Sequence, residues 1–164
     1  MHDPPREPES PPDSAFCQRK HPHLHRPPGN ADKQLLLLTV CTRYREPALA
    51  TPRVHENLVA VWLEATAWRV GRYVILPDHL HLFASPGLPE TLVEQWVGYW
   101  KRQFTRRVPD CGFRWAAGHW SRSLRTQEHY AERWEYVRQN PVRHGLVQRA
   151  EDWPYQGEVF KLEW

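Results

Sequence analysis

The sequence predicts an α+β fold, a ferredoxin-like split βαβ with an antiparallel sheet and an added C-terminal helix, and three observations carry that prediction. Short apolar runs alternate with stretches of helical spacing in the order strand, helix, strand, strand, helix, strand. Thr51-Pro52, Pro77-Asp78 and Asn140-Pro141 punctuate the boundaries. A length of 164 residues leaves room for one core and a tail, not for two independent domains.

Leu35 to Thr42 reads as a buried strand, apolar at first and β-branched at its end. Thr51 then offers an N-cap, Pro52 suits the first helical position, and Val54, Leu58, Val61, Ala65 and Trp68 recur at helical spacing, with Gly71 as the expected stop. Arg72 to Leu76 and His79 to Ser85 form a hairpin around the Pro77-Asp78 turn. A second helix is predicted from about Glu90 to Val108, with Leu92, Trp96, Trp100 and Phe104 as its buried stripe. Phe113 to Leu124 supplies the fourth strand and its entry loop. The last helix, from about Gln127 to Gln139, stops before Pro141, because a proline disfavours helical geometry at the residue before it.

Residues 1–33 are set apart by composition. Half of the 16 prolines lie in the first 28 residues, where large aliphatic side chains are almost absent, so the segment is predicted to be a disordered tail preceding a domain at 34–164. Its alternating His21, His23 and His25 lack a fold that would fix them around a metal. No run is long and apolar enough for a membrane span and no signal-peptide pattern opens the chain, which predicts a cytoplasmic protein with no membrane partner. Three scattered cysteines, without a CxxC pair, are expected to be reduced thiols. The net charge of +3 permits nucleic acid without demanding it.

Strand periodicity sends His79 and His81 to one face and Leu80 and Leu82 to the other. Two neutral imidazoles on one rigid surface are half of a divalent-metal site, or simply a polar face meeting solvent. On the last helix Tyr130, Trp134 and Val137 share a core-facing stripe, and Tyr136 projects roughly 120° away from it, near His129, Arg133 and Asn140. Such a tyrosine is either an amphipathic surface ring or the nucleophile of a phosphoryl transfer.

The stretches Pro77-Asp78-His79-Leu80-His81-Leu82-Phe83 and Tyr136-Val137-Arg138-Gln139-Asn140-Pro141-Val142-Arg143-His144-Gly145-Leu146-Val147 resemble the REP-associated tyrosine transposases, a branch of the single-tyrosine HUH transposases. The resemblance covers about Gln34 to Pro154. It implies an HUH-endonuclease fold with a catalytic C-terminal helix, a divalent ion (Mg²⁺ or Mn²⁺) on His79 and His81, Tyr136 as nucleophile, and Asn140 as a further metal ligand. Asn140 has an equally plain role as a helix cap before Pro141. Implied activity is sequence-specific cleavage and rejoining of single-stranded DNA at hairpin-forming repeats through a 5′-phosphotyrosine, by a monomer or homodimer.

The chain departs from that family at Ser121-Arg122, where an acidic-His pair is usual, and at Tyr155-Gln156-Gly157, which replaces a common double serine. Arg102 and Arg106 stand one turn apart on the second helix with Lys101 beside them, a phosphate-contacting face if DNA is the partner and a solvated basic face otherwise. Arg125 and Arg133 complete the expected DNA contacts, and Arg43, Arg45, Arg122 and Arg143 are further candidates. The competing functional reading is a domesticated DNA-binding module whose nuclease activity is lost or incidental. A histidine-triad hydrolase is disfavoured because Phe83 stands where a third alternating histidine is needed.

Overall fold

The computed structural model describes residues 34–88 and 90–163, and the expectations for the 1–33 tail lie outside them. Five strands form one sheet in the order β4-β1-β3-β2-β5, antiparallel at every pairing. The strands are β1 (Leu35–Cys41), β2 (Trp68–Ile75), β3 (His79–Pro86), β4 (Trp120–Leu124) and β5 (Gln156–Glu158). Helices α1 (Pro52–Glu64) and α2 (Val93–Arg107) are the split βαβ crossovers, and α3 (Gln127–Arg138) with the short α4 (Asn140–Arg143) follows β4. The first four strands therefore have the predicted ferredoxin-like order, and β5 extends the sheet beyond β2.

Alternation along the strands divides the core. Leu36, Leu38, Val40, Leu80, Leu82 and Ala84 face α1 and α2, where Trp62, Trp96, Trp100 and Phe104 are fully buried. Leu35, Leu37, Phe83 and Leu124 face the other way, against Val137, Tyr130 and Trp134 of α3. The predicted α3 stripe is thus the one used, with Tyr130 and Trp134 set edge-on to Phe83. Helix α1 begins as read: the Thr51 hydroxyl accepts the Val54 amide, and Pro52 sits in the first turn.

Several boundaries differ from expectation. Helix α1 ends at Glu64, and Trp68 opens β2 with its indole N–H on the Thr91 carbonyl; Ala65 and Trp68 match the helical period only by coincidence. Gly71 is no helix stop. It lies where β2 slips register between Val70 and Tyr73, a bulge that keeps Val70, Tyr73 and Ile75 on one face, and a Cβ there would come within 2.6 Å of Leu162. Leu92 is an exposed N-cap outside the α2 stripe. Between Phe113 and Leu124 the expectation holds: Phe113 and Trp115 lie in the entry loop, packed on Phe104, and the strand runs from Trp120 to Leu124. Pro141 does not end helical geometry at Asn140; a proline is tolerated in a first turn, and Asn140 opens α4 after a break at Gln139. Cys111 is a free thiol, as expected, and Cys17 lies outside the described residues. No helix among the described residues is long and apolar enough to cross a membrane.

Candidate active site

His79 and His81 lie on the α3 side of β3, only 1% and 4% exposed, with ring centroids 5.0 Å apart. Cross-strand register places Thr39 directly opposite His81, and its hydroxyl is 2.8 Å from His81 Nδ1. His79 Nδ1 is 2.7 Å from an Asp78 carboxylate oxygen and 3.4 Å from an Arg45 guanidinium nitrogen. Those neighbours ask opposite things of the nitrogen, and the shorter, charged carboxylate contact favours a proton on Nδ1. The Nε2 atom of His79 is then left with its lone pair, and Thr39 permits the same tautomer at His81.

Both Nε2 atoms are buried and without a hydrogen-bond partner. An unsatisfied buried polar group costs about 1–3 kcal/mol. Two such acceptors side by side, each braced through Nδ1 by an oxygen, have the donor chemistry of a divalent-metal pair. Burial drives the His81 pKa well below its ordinary value, and the nearby guanidiniums of Arg143 and Arg45 add to the effect, keeping the ring neutral. Among the described residues no group of three or more His, Cys, Asp or Glu assembles as a metal site, so further ligands would have to be of another kind.

The α3–α4 break supplies those other groups. Asn140 is fully buried; its Oδ1 accepts from Arg143 Nη2 at 2.8 Å, and its Nδ2 is unpartnered. The same Arg143 nitrogen donates to the Tyr136 carbonyl at 2.6 Å, and the guanidinium carbon sits 3.9 Å from the Tyr136 ring centroid. Arg143 therefore ties the tyrosine to Asn140 across the break. Next to it, the His144 ring lies 5.9 Å from that of His79. Tyr136 is 37% exposed, open to a solvent-borne substrate.

Asp78 also ties in Arg45, whose Nε donates to its second carboxylate oxygen at 2.8 Å. Burial raises the Asp78 pKa, but the hydrogen bond and charge of His79 together with Arg45 outweigh it, and the carboxyl titrates below its usual range. Arg45 reaches Asp78 because Tyr44 and Arg45 adopt φ of 57° and 58°, a left-handed conformation that costs L-residues roughly 1–2 kcal/mol each. The sequence reading took Asp78 for turn chemistry alone and gave Thr39 no role. An acid directly before the first histidine was the available signal.

The expected DNA-contacting residues divide. Lys101 is buried, not on a solvent face: its ammonium donates to the carbonyls of Ala116 and Gly118 at 3.1 and 2.6 Å, and burial lowers its pKa to about 8. Its neighbours Arg102 and Arg106 are exposed, but α2 packs on the sheet face opposite the histidines, where they border an apolar groove of about 630 Å³. Arg125 is exposed at the end of β4. Arg122 pairs in register with Leu37 and so shares the histidine face, where the charge of Arg133 on α3 bears on it.

The chain is 30% identical over 111 residues to a Haemophilus influenzae protein named as a REP-associated tyrosine transposase, a match covering 55% of this chain and 62% of the relative. It is 30% identical over 91 residues to a REP-associated tyrosine transposase of Escherichia coli K12, covering 54% of this chain and 53% of the relative. The chain is thus similar in sequence to two REP-associated tyrosine transposases. It spans between half and two thirds of the length of these two proteins. No protein-family model matches it. Among solved structures, a REP-associated tyrosine transposase bound to a REP hairpin superimposes with a TM-score of 0.65 at 22% identity, covering 78% of this chain and 88% of that one. That likeness establishes the shared fold, in agreement with the split βαβ arrangement read from the sequence.

Proposed function

We propose that the chain is a metal-assisted, single-strand-specific DNA endonuclease and strand transferase acting on hairpin-forming repeats. The observation that carries this reading is the pair of orphaned Nε2 atoms beneath the helix break that holds Tyr136. His79 and His81, with Asn140 Oδ1 as a third donor shared with Arg143, are the residues that would hold the ion. When bound, Mg²⁺ or Mn²⁺ supplies neutralisation of the charge that develops on a phosphodiester under attack. Kinship with the REP-associated transposases, one of them bound to a REP hairpin, supports the choice of substrate.

Tyr136 Oη attacks phosphorus, the bond from phosphorus to the 3′ oxygen breaks, and the 3′ oxygen leaves as a hydroxyl while the 5′ phosphate stays on the tyrosine. A second 3′-hydroxyl reverses the step and joins a new strand, with one phosphodiester broken and one formed and no ATP consumed. Arg143 positions the ring for this attack through its contacts with the tyrosine ring and carbonyl. Asp78 and Thr39 hold the imidazoles in the tautomer that presents Nε2. Arg133 and Arg122, on the same side, take backbone phosphates.

Incubation with labelled hairpin DNA and Mn²⁺ tests the reading. Wild type is expected to form a covalent adduct that maps to Tyr136, and Tyr136→Phe is expected to bind the DNA and form none. Tyr130→Phe, altered on the packed face of the same helix, is expected to keep it. An adduct on another residue, or one that persists in Tyr136→Phe, overturns the assignment.

A further inference from the structure

The turn between β1 and α1 carries a second feature that strand transfer does not use. Tyr44 is 80% exposed and held at φ 57°, where a glycine or asparagine would be relaxed and a bulky ring is strained. The fold gains no packing from it. The turn is nevertheless pinned from several sides: Thr42 bonds Asp78 and Glu46 carbonyls through its hydroxyl, the Arg43 amide bonds the Arg114 carbonyl at 2.7 Å, and Arg45 bonds Asp78. Strain that the surroundings impose this firmly is a mark of functional sites.

Tyr44 opens onto a polar cleft of about 450 Å³ lined by Arg43, Glu46, Phe113 and Arg114 as well. The Arg43 guanidinium carbon stands 4.8 Å from the Tyr44 ring centroid. Two guanidiniums face one carboxylate, so the cleft is cationic, and a presented aromatic face beside cations is the combination that takes a base and its phosphate together. The next residue, Arg45, reaches within 3.4 Å of His79 Nδ1, so the turn that carries Tyr44 also touches the candidate active site.

We propose that this cleft binds one nucleotide of a single DNA strand, its base stacked on Tyr44 and its phosphate held by Arg43 and Arg114. The proposal rests on the reading of DNA as the substrate and adds to it a grip on the unpaired strand outside the cleavage chemistry. Because every base offers a π-face, the grip is tolerant of sequence.

The test uses a dT homopolymer of about twenty nucleotides and an abasic strand of the same length, with affinities measured by fluorescence anisotropy over a range of salt. Wild type is expected to prefer the dT strand. Tyr44→Ala should reduce that preference about tenfold and leave abasic binding unchanged. Tyr44→Gly should show the same loss together with an equal or higher Tm, because glycine relaxes at positive φ, and this excludes unfolding as the cause. Arg43→Ala with Arg114→Ala should weaken both strands and lower the salt slope by about 1 per arginine. A dT preference unchanged in both Tyr44 variants overturns the proposal. The adduct assay reads the other proposal separately: a wild type without adduct but with a Tyr44-dependent preference removes the strand-transfer chemistry and keeps the nucleotide cleft.

Discussion

The two faces of the sheet are built from the same strands and do different work. On β3, Leu80, Leu82 and Ala84 turn toward α1 and α2, while His79, His81 and Phe83 turn toward α3. Each face leaves polar atoms without hydrogen-bond partners, and their surroundings separate the two. Under α1 and α2 the orphans include the indole N–H groups of Trp62 and Trp100, donors surrounded by aromatic rings whose π-faces compensate in part. Beneath α3 and α4 they include the Nε2 atoms of His79 and His81, a paired set of acceptors that a hydrogen-bond donor or a cation satisfies, beside the Asn140 amide nitrogen. One face is settled by packing alone. The other carries a polar debt that a ligand can discharge.

The comparison breaks most visibly under truncation of the packed face. Trp62→Ala is expected to cost about 3–5 kcal/mol, measured by chemical denaturation, while the adduct formed per folded molecule stays near wild type. Replacing a polar pair on the other face should move stability the opposite way. Thr39→Val with His81→Leu exchanges both partners for apolar groups, and in metal-free buffer it is expected to be neutral or to gain about 1 kcal/mol. Mn²⁺ is expected to raise the Tm of wild type and to leave that of the same variant unchanged. A loss as large as that of Trp62→Ala would mean that the histidine face, too, is built for packing.

The smallest effect concerns the charge buried in the packed layer. The folded state releases the Lys101 proton near pH 8, and the unfolded chain holds it to its ordinary value of 10.5. Across that window the unfolded state binds more protons, so stability rises with pH. Between pH 7.5 and 9 the gain attributable to Lys101 is about 1 kcal/mol. Lys101→Met should flatten this part of the profile in urea melts at a series of pH values. An undiminished slope in that variant would assign the titration to another group.

The parts legible in the sequence were those governed by near neighbours along the chain. Alternation along His79 to Phe83 fixed the faces of β3, Thr51-Pro52 announced α1, and the Tyr130, Trp134, Val137 spacing found the packed side of α3. Long-range closures were invisible. Arg45 and Asp78 are 33 residues apart and meet through a left-handed turn that no glycine signals. Lys101 looked like part of a basic patch because helical arithmetic does not show that the 115–118 loop folds over it to present its carbonyls. Gly71 looked like a terminator because a bulge and a helix stop draw on the same residue type.

Arg143 is the only bridge described between the tyrosine ring and the buried Asn140, and the helix that carries the tyrosine is lightly anchored: of the twelve residues of α3, Val137 alone is fully buried. Undocking α3 exposes far less apolar surface than undocking α1 or α2, so the free energy of local opening lies well below that of global unfolding. The proposed nucleophile thus rides on a lightly anchored helix, and a DNA strand that contacts both α3 and the sheet would draw its binding energy partly against that opening. Occupancy by substrate and closure of the tyrosine helix are then a single coupled equilibrium, in which each favours the other to the same extent.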